Sequence, residues 1–226
     1  MKKITYASLI FSSLVIILYG CNDSGNINEP DYTIKGSGRL ITQERIVSEC
    51  TGVNLRYSGN IYLKQDTVQS IRVEADDNII NNVATRNQSG ILLAGLTNGK
   101  YSDVTVNIYI SLRSVKSLTI EGAGNIVVQN RINCSYMNCI INGAGDINLS
   151  GSCNSLDCVI NGAGNINAFD FEANSCKATI KGAGNCAVFV KESLEGVITG
   201  VGNIVYDGNP GSVKSSVTGV GNITGR

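Results

Sequence analysis

A short glycine motif, Gly-x-Gly followed by Asn or Asp, recurs through the second half of the chain at nearly constant spacing. Its six copies begin at intervals of 21, 19, 20, 18 and 19 residues, and weaker copies stand at 36–39 and 57–60. A period of about 20 residues predicts a stack of similar units, none of which can bury its apolar face alone. The corner residues are Gly122, Gly124 and Asn125; Gly143, Gly145 and Asp146; Gly162, Gly164 and Asn165; Gly182, Gly184 and Asn185; Gly200, Gly202 and Asn203; and Gly219, Gly221 and Asn222.

Apolar residues alternate with polar ones on both sides of each motif. The residue two before the first glycine is Ile in five copies and Val in the sixth, and the residue four after it is Ile in five copies and Cys in one. Alternation at period two is typical of β-strands, and glycines suit a tight corner that a Cβ atom would obstruct. The pattern predicts an all-β fold, a parallel β-helix or solenoid, with coils of about 20 residues, Gly-x-Gly turns and equivalent residues about 4.8 Å apart.

The regular repeats occupy residues 118–226, whereas residues 32–117 are less regular. The irregular part still contains strand-like alternation in three stretches, 53–63, 71–73 and 104–110. Residues 76–86 begin with an Asp that suits a helix N-cap, which predicts a short helix. We expect residues 32–117 to form divergent β-coils and an N-terminal cap that continues into the repeats.

The first 21 residues resemble a bacterial lipoprotein signal peptide. Two lysines precede an apolar stretch over residues 4–18, which is short for a membrane span of about 20 residues. Gly20 directly precedes Cys21, the residue that such a signal lipidates and leaves as the new N-terminus. An ordinary secretory signal and an uncleaved anchor are the alternatives. Acyl chains on Cys21 would hold the protein on a membrane, and residues 22–31, which are polar, then form a tether.

These features together resemble the bacterial family of auto-transporter adhesin head GIN domains. The resemblance rests on the six Gly-Ala/Val-Gly-Asn/Asp corners, the strand-rich first half and the lipoprotein signal, and it spans residues 46–225. It implies a right-handed parallel β-helix similar to pectin-lyase-like proteins, with the Gly-x-Gly motif at the turn between sheets. It also implies a non-enzymatic protein with a role in cell adhesion and no defined ligand.

Composition and motif context exclude several classes of function. The chain has no His, which removes Ser-His-Asp triads, Cys-His pairs and His-ligated metals. Lys plus Arg equals Asp plus Glu at 18 each, so there is no basic surface typical of nucleic-acid binding. Gly122-Ala-Gly124 is followed by Asn, Ile and Val, which fits neither a dinucleotide fingerprint nor a P-loop. We therefore expect no cofactor, no metal and no nucleic-acid partner.

An enzyme built on a β-helix would need paired carboxylates, or a carboxylate-held metal, on neighbouring coils. The outward position five before each corner instead alternates in sign, so we expect its charges to offset one another and to leave no acid with a raised pKa. Asp146 is isolated among the corner Asn residues, which we expect to form a hydrogen-bonded ladder. We predict no catalytic residue, with a polysaccharide lyase or hydrolase as the distant alternative. The outward positions are Asn138, Asp157, Lys177, Glu195 and Lys214.

Seven cysteines follow Cys21. Four of them stand where other units place small or apolar residues, and Cys134 and Cys153 each lie nine before a corner. Stacked Cβ atoms lie about 4.8 Å apart, farther than the roughly 3.8 Å that a disulfide prefers. We favour buried thiols for these cysteines. Disulfides are the alternative, because an exported protein can form them. The four are Cys139, Cys158, Cys176 and Cys186.

The outward position three before each corner carries mostly β-branched residues, which we name the contact strip. Strand propensity alone favours such residues, but an exposed apolar strip is also typical of a docking face for another chain or a ligand. Only residues 223–226 follow the last corner, so we also expect strand pairing and self-association at that end. The contact strip consists of Thr119, Ile140, Val159, Thr179, Val197 and Ser216.

The sequence as a whole predicts a non-enzymatic, lipid-anchored protein of the cell envelope that acts as an adhesion or binding module. We expect it on the outer membrane, facing the cell surface or the periplasm. Its expected partners are the membrane, a second copy of itself, and a cell-surface glycan or protein. A self-associating structural envelope protein is the alternative. Aromatic residues make up only 6% of the chain and Trp is absent, which argues against a platform that stacks sugar rings.

Overall fold

Strands make up the regular structure of residues 32–226, the part of the chain that the computed structural model describes, apart from one 3-10 turn at Ile80–Asn82. Tyr32–Arg226 forms one unit with a continuous core. The signal peptide, Cys21 and the 22–31 tether expected from the sequence lie outside the described residues. The described fold is therefore all-β, and the alternation of apolar and polar residues explains why.

The first nine strands mix antiparallel and parallel pairing. They are β1 (Thr33–Lys35), β2 (Leu40–Arg45), β3 (Gly52–Leu55), β4 (Ser58–Gln65), β5 (Ser70–Asp76), β6 (Val83–Gln88), β7 (Ile91–Leu96), β8 (Lys100–Ser102) and β9 (Val106–Leu112). β5 runs antiparallel to both β2 and β9, and β6 and β7 form a hairpin. Ser89 and Gly90 make its two-residue turn with φ of 53° and 84°. Local hairpins and antiparallel pairs thus make up part of the half for which divergent β-coils and a cap are expected.

The short helix expected over residues 76–86 is wrong. Only Ile80–Asn82 turns helically, between the end of β5 and the start of β6. Asp76 does not cap this turn, because its two carboxylate oxygens accept the backbone N–H groups of Gly38 (2.7 Å) and Thr105 (2.8 Å). The carboxylate therefore joins loops that are distant in sequence, a use that a local N-cap pattern does not reveal.

The remaining strands repeat one unit. They are β10 (Ser117–Ile120), β11 (Ala123–Val128), β12 (Ile132–Ile141), β13 (Ile147–Ile160), β14 (Ile166–Ile180), β15 (Cys186–Ile198), β16 (Ile204–Asp207), β17 (Ser212–Val217) and β18 (Ile223–Gly225). β12 pairs in parallel with β13, β13 with β14, and β14 with β15, and equivalent residues of successive repeats are direct partners. β10 pairs with β3 and β11 with β4, so one mixed sixteen-stranded sheet joins both halves.

Inward residues of successive repeats form apolar columns in the core. The residues four after the first corner glycine are nearly all inaccessible to solvent, and burial of each Ile contributes roughly 1.5–3 kcal/mol. A single unit could not bury this surface, since each side chain packs against its equivalents above and below. The fully buried members of this column are Ile126, Ile147, Ile166, Cys186 and Ile204.

Differences in repeat length are accommodated on the side of each unit away from its corner. Pairing is regular on both sides of the corners, whereas the register shifts between Asn148 and Ser150 of β13 and between Ala168 and Glu172 of β14. Successive corners in this region lie 18 to 20 residues apart. The corners therefore set the register, and bulges on the opposite side take up the extra residues.

Candidate functional site

The corners bring the backbones of neighbouring repeats into close contact. A Cβ atom added to Gly162 would lie 2.0 Å from the carbonyl oxygen of Gly143, and one added to Gly164 would lie 1.8 Å from that of Gly145. Gly164 also has a φ of +155°, which side chains of L-residues rarely allow. Both glycines are therefore required by the adjacent repeat, and the corner has no space for a ligand between its coils.

The polar residue that ends each corner belongs to a ladder along the molecule. The Asn125 Nδ2 atom donates to Asn60 Oδ1 at 3.2 Å. Asp146 Oδ1 accepts both the backbone N–H (2.8 Å) and the Nδ2 atom (2.9 Å) of Asn165. The following corners continue the ladder. The hydrogen bonds confirm the expected ladder, and the isolated carboxylate of Asp146 acts in it as an acceptor.

The contact strip is an unbroken column on the outer face of the parallel strands. Its six residues are direct partners in register from β10 through β12, β13, β14 and β15 to β17. Most of them are partly exposed, but Thr179 is only 9% exposed, and Ser216 is open to solvent. Polar columns flank the strip: Asn161 Nδ2 donates to Asn142 Oδ1 at 2.8 Å on one side, and charged residues lie on the other.

The charged column beside the strip does not balance as the sequence predicts. Lys177 Nζ lies 2.8 Å from Glu195 Oε1, while the neighbouring Oδ1 atoms of Asp157 and Asn138 are buried without a hydrogen-bond partner. Burial raises the pKa of Asp157; Lys177 lowers it and Glu195 raises it again. The expectation that no acid here has a raised pKa is therefore wrong, because the lysine is engaged by the next acid in the column.

The seven cysteines of the described residues are free thiols. Cys158 is fully buried among three others, and hydrogen bonds with them, together with burial, raise its pKa. Cys134 and Cys153 form a separate pair in register, in which a hydrogen bond with Cys153 lowers the pKa of the Cys134 thiol. The inner thiols fill core positions like small apolar side chains. The neighbours of Cys158 are Cys139, Cys176 and Cys186.

A groove on the outer face of β5, β9 and β4 is not predicted from the sequence. Tyr62 and Tyr109 are partners in register and stack with ring centroids 5.1 Å apart, and the Arg72 guanidinium carbon lies 4.4 Å from the Tyr109 centroid. The Tyr109 hydroxyl donates a hydrogen bond to Glu74 Oε1 at 3.4 Å. Desolvation raises the pKa of Tyr109, which favours this protonated form. The groove beside this stack has a volume of about 290 Å³.

The sequence does contain a signal for the groove. Residues 60–63 read Asn-Ile-Tyr-Leu and residues 107–110 read Asn-Ile-Tyr-Ile. Two such tetrapeptides on adjacent parallel strands place both tyrosines on the same face. Low aromatic content therefore does not prevent the protein from concentrating aromatic side chains at one place.

Within residues 32–226, no group of three or more His, Cys, Asp or Glu side chains is arranged to hold a metal ion. That part of the chain also contains no helix that is both long and apolar enough to cross a membrane.

Comparison with known proteins identifies relatives of this fold. A crystal structure described as a "putative adhesin" from Bacteroides fragilis is 22% identical, with a TM-score of 0.70 over 85% of this chain and 100% of that chain. Another so described, from Parabacteroides merdae, is 18% identical, with a TM-score of 0.51 over 86% of this chain and 99% of that chain. At these identities, the likeness shows the fold alone. Among curated proteins the comparison finds no match.

The family comparison covers most of the repeats and part of the irregular half. The model described as "Putative auto-transporter adhesin, head GIN domain" matches residues 49–210, more than half of the chain. This span includes β3 through β16 and five of the six corners. The chain therefore belongs to the family of auto-transporter adhesin head GIN domains.

Proposed function

We propose that this protein is a non-enzymatic adhesion or binding module, built as a right-handed parallel β-helix and held at the outer membrane by a lipid on Cys21. The family description and the adhesin descriptions of similar structures support adhesion. Parallel, in-register pairing across the repeats supports the β-helix. The signal-like segment ending at Cys21 supports the lipid anchor.

The contact strip is the observation that carries the proposal. Ile140, Val159 and Val197 present β-branched side chains in one straight row, partly exposed and bordered by polar columns. An apolar row with a polar border is typical of an interaction surface. β-Branched side chains are already restricted in χ1, so little side-chain entropy is lost when they are covered.

Charge substitution in the strip tests this surface. Beads coated with the full-length chain are applied to arrays of glycans and cell-surface proteins. The double variant Ile140→Lys/Val159→Lys is expected to lose bound signal by about tenfold or more, because a partner would have to desolvate two ammonium groups. The control Val127→Lys/Val205→Lys changes two partly exposed outward valines away from the strip. Equal loss in both variants, or binding unchanged by the strip substitutions, contradicts the proposal.

The location at the cell surface has its own test. Protease added to intact cells should degrade the wild-type protein, and Cys21→Ala should remove it from the membrane fraction. Protection of the wild type in intact cells would place it in the periplasm, where it could not contact another cell.

Self-association is a second candidate, favoured by the exposure of β17. Val213 and Val217 are 39% and 43% exposed, whereas their partners in β15, Leu194 and Ile198, are 2% and 0% exposed. A second copy pairing with β17 would cover these valines and the strand's outer backbone groups. Sedimentation of the full-length chain in detergent should show a dimer that Val213→Lys/Val217→Lys dissociates. A monomer at high concentration contradicts this candidate.

A further inference from the structure

The groove beside Tyr62 and Tyr109, named here the tyrosine groove, is separate from the contact strip. Strand registers place Arg72, Tyr109 and Tyr62 in one outward row, and Ser70, Ser111 and Lys64 in the next. The small serines beside the tall stacked rings leave an open channel, which Glu44 and Gln129 complete. The stack therefore forms one wall of the groove and hydroxyl groups form its floor.

Arg72 is oriented in a way that leaves its hydrogen-bond donors available. Its direct cross-strand neighbour is Glu44, yet the guanidinium lies over the ring of Tyr109 and has no ion-pair or hydrogen-bond partner in the described part of the chain. Contact with the ring restricts the guanidinium, and its N–H donors have no partner among the described residues. A guanidinium fixed in this way matches the two oxygens of a carboxylate.

The other groups in the groove suit hydroxyl-rich molecules. The side chains of Ser70, Ser111 and Gln129 make no hydrogen bonds to other described residues and line the groove. Glu44 adds a carboxylate that can accept hydrogen bonds from hydroxyl groups. Lys64 is already paired with Asp66, its Nζ lying 3.3 Å from Oδ2, whereas Arg72 has no anionic partner among the described residues.

We propose that the tyrosine groove binds a uronic-acid residue of a glycan, with the carboxylate on Arg72 and the ring hydroxyls on Ser70, Ser111 and Gln129. The volume of about 290 Å³ is near the lower end of small-ligand sites, about 300–1,000 Å³, which suits a sugar unit. Tyrosine edges bordering the groove can contact the apolar C–H groups of the ring.

An acidic peptide suits this place less well. Extended peptides bind sheets mainly through free backbone groups at an edge strand. β4, β9 and β5 are interior strands whose backbones are already paired on both sides. Only side chains are presented in the tyrosine groove, so recognition there depends on discrete polar groups.

Calorimetry on the full-length chain in detergent tests the assignment. The probes are oligogalacturonate, a neutral galactose oligomer of the same length, and oligoglutamate. We expect oligogalacturonate to bind at least about tenfold more tightly than either of the others, and Arg72→Ala to weaken its binding by a similar factor. Arg72→Lys should restore little, because an ammonium lacks the planar fork. Arg226→Ala is the matched control, since that guanidinium also lies over an aromatic ring, 5.4 Å from the centroid of Phe169.

The other possible results of the calorimetry would overturn the proposal. Equal binding of the galactose oligomer overturns the role of the carboxylate, and tighter binding of oligoglutamate assigns the groove to acidic peptides. No uronide binding, or equal loss in the Arg72 and Arg226 variants at unchanged unfolding midpoints, also overturns the proposal. The strip variant Ile140→Lys/Val159→Lys should bind oligogalacturonate normally, so failure of the strip and failure of the groove are distinguishable.

Discussion

At the scale of single residues, the glycines of each corner are determined by atoms of another repeat. The carbonyl oxygen of Gly145 occupies the space that a side chain on Gly164 would need, and the next repeat places Gly184 against Gly164 in the same way. This requirement comes from the close stacking of the backbones, to which the positive φ of Gly164 adds a local one. A substitution at one corner should therefore disturb the packing of two repeats.

Replacing Gly164 by Ala should strongly destabilise the protein. The added Cβ meets a backbone oxygen at 1.8 Å and the φ of +155° is strained, so we expect a loss of about 2–4 kcal/mol or a failure to fold. Gly211→Ala is the control, because its Cβ would meet only Glu192 O, at 3.8 Å, and should change stability by less than about 0.5 kcal/mol. Urea unfolding measures both, and similar stabilities would contradict the stacking argument.

Residues in repeated patterns were predictable, and residues with single long-range contacts were not. The corner glycines and the Asn ladder follow from a motif that recurs six times. Asp76 and Arg72 depend on groups that are adjacent only after folding: backbone N–H groups of two loops in one case, and the Tyr109 ring in the other. A single occurrence in sequence gives no spacing from which such contacts can be inferred.

At the scale of strands, register decides which side chains interact. β12 to β15 place outward residues in columns, so a polar side chain interacts mainly with its equivalents one repeat away. Alternating charge along such a column was predictable, but the pairing of Lys177 with Glu195 instead of Asp157 was not. The hairpin of β6 and β7 was also missed, because short alternating stretches do not distinguish antiparallel from parallel partners.

Asp157→Asn should stabilise the protein at neutral pH. A carboxyl with a raised folded-state pKa binds its proton more tightly than in the unfolded chain, so its ionisation lowers stability as the pH rises. An Asn at this position can also donate to the unpartnered Asn138 Oδ1, as Asn161 donates to Asn142 at 2.8 Å. We expect a gain of about 0.5–1.5 kcal/mol at pH 7.

The pH dependence and a control identify the cause of this gain. The advantage of Asp157→Asn should shrink as the pH falls through the folded pKa of Asp157, because the wild-type carboxyl then becomes protonated. Asp170→Asn, at an exposed position, should have little effect at either pH. A gain that is independent of pH would show that the ionised carboxylate is not the destabilising group.

At the scale of the whole molecule, stability should be distributed among neighbouring repeats. Each long strand contacts mainly the strands before and after it, and the core columns cross all repeats. In such an arrangement the free energy of unfolding is close to a sum over repeats and their interfaces. The all-β fold and the in-register pairing of the repeats were predictable for this reason, whereas the junction with the irregular first half depends on pairings of β3 and β4 that have no periodic signal.

Deletion of one repeat tests this additivity. Removing residues 147–165 joins Asp146 to Ile166 and keeps every column in place, so the chain should fold and unfold cooperatively at a lower temperature. Removing residues 147–156 instead places Asp157 where Ile147 belongs in the core. That variant should not fold, as judged by circular dichroism. Equal behaviour of the two deletions would contradict a stacked-repeat architecture.

The bulges opposite the corners have a consequence for how such a protein can diverge. An extra residue at a corner would collide with the adjacent backbone, but the stretch between Ala168 and Glu172 already holds three residues that its neighbour β15 lacks. Length changes can therefore accumulate beside the exposed Asp170 of this flank without moving the strip or the ladder, provided that the fully buried Phe171 keeps its place in the core. A foreign peptide grafted there would be displayed at a fixed height on an unaltered scaffold, and natural variation in binding specificity can arise on that flank by simple insertion.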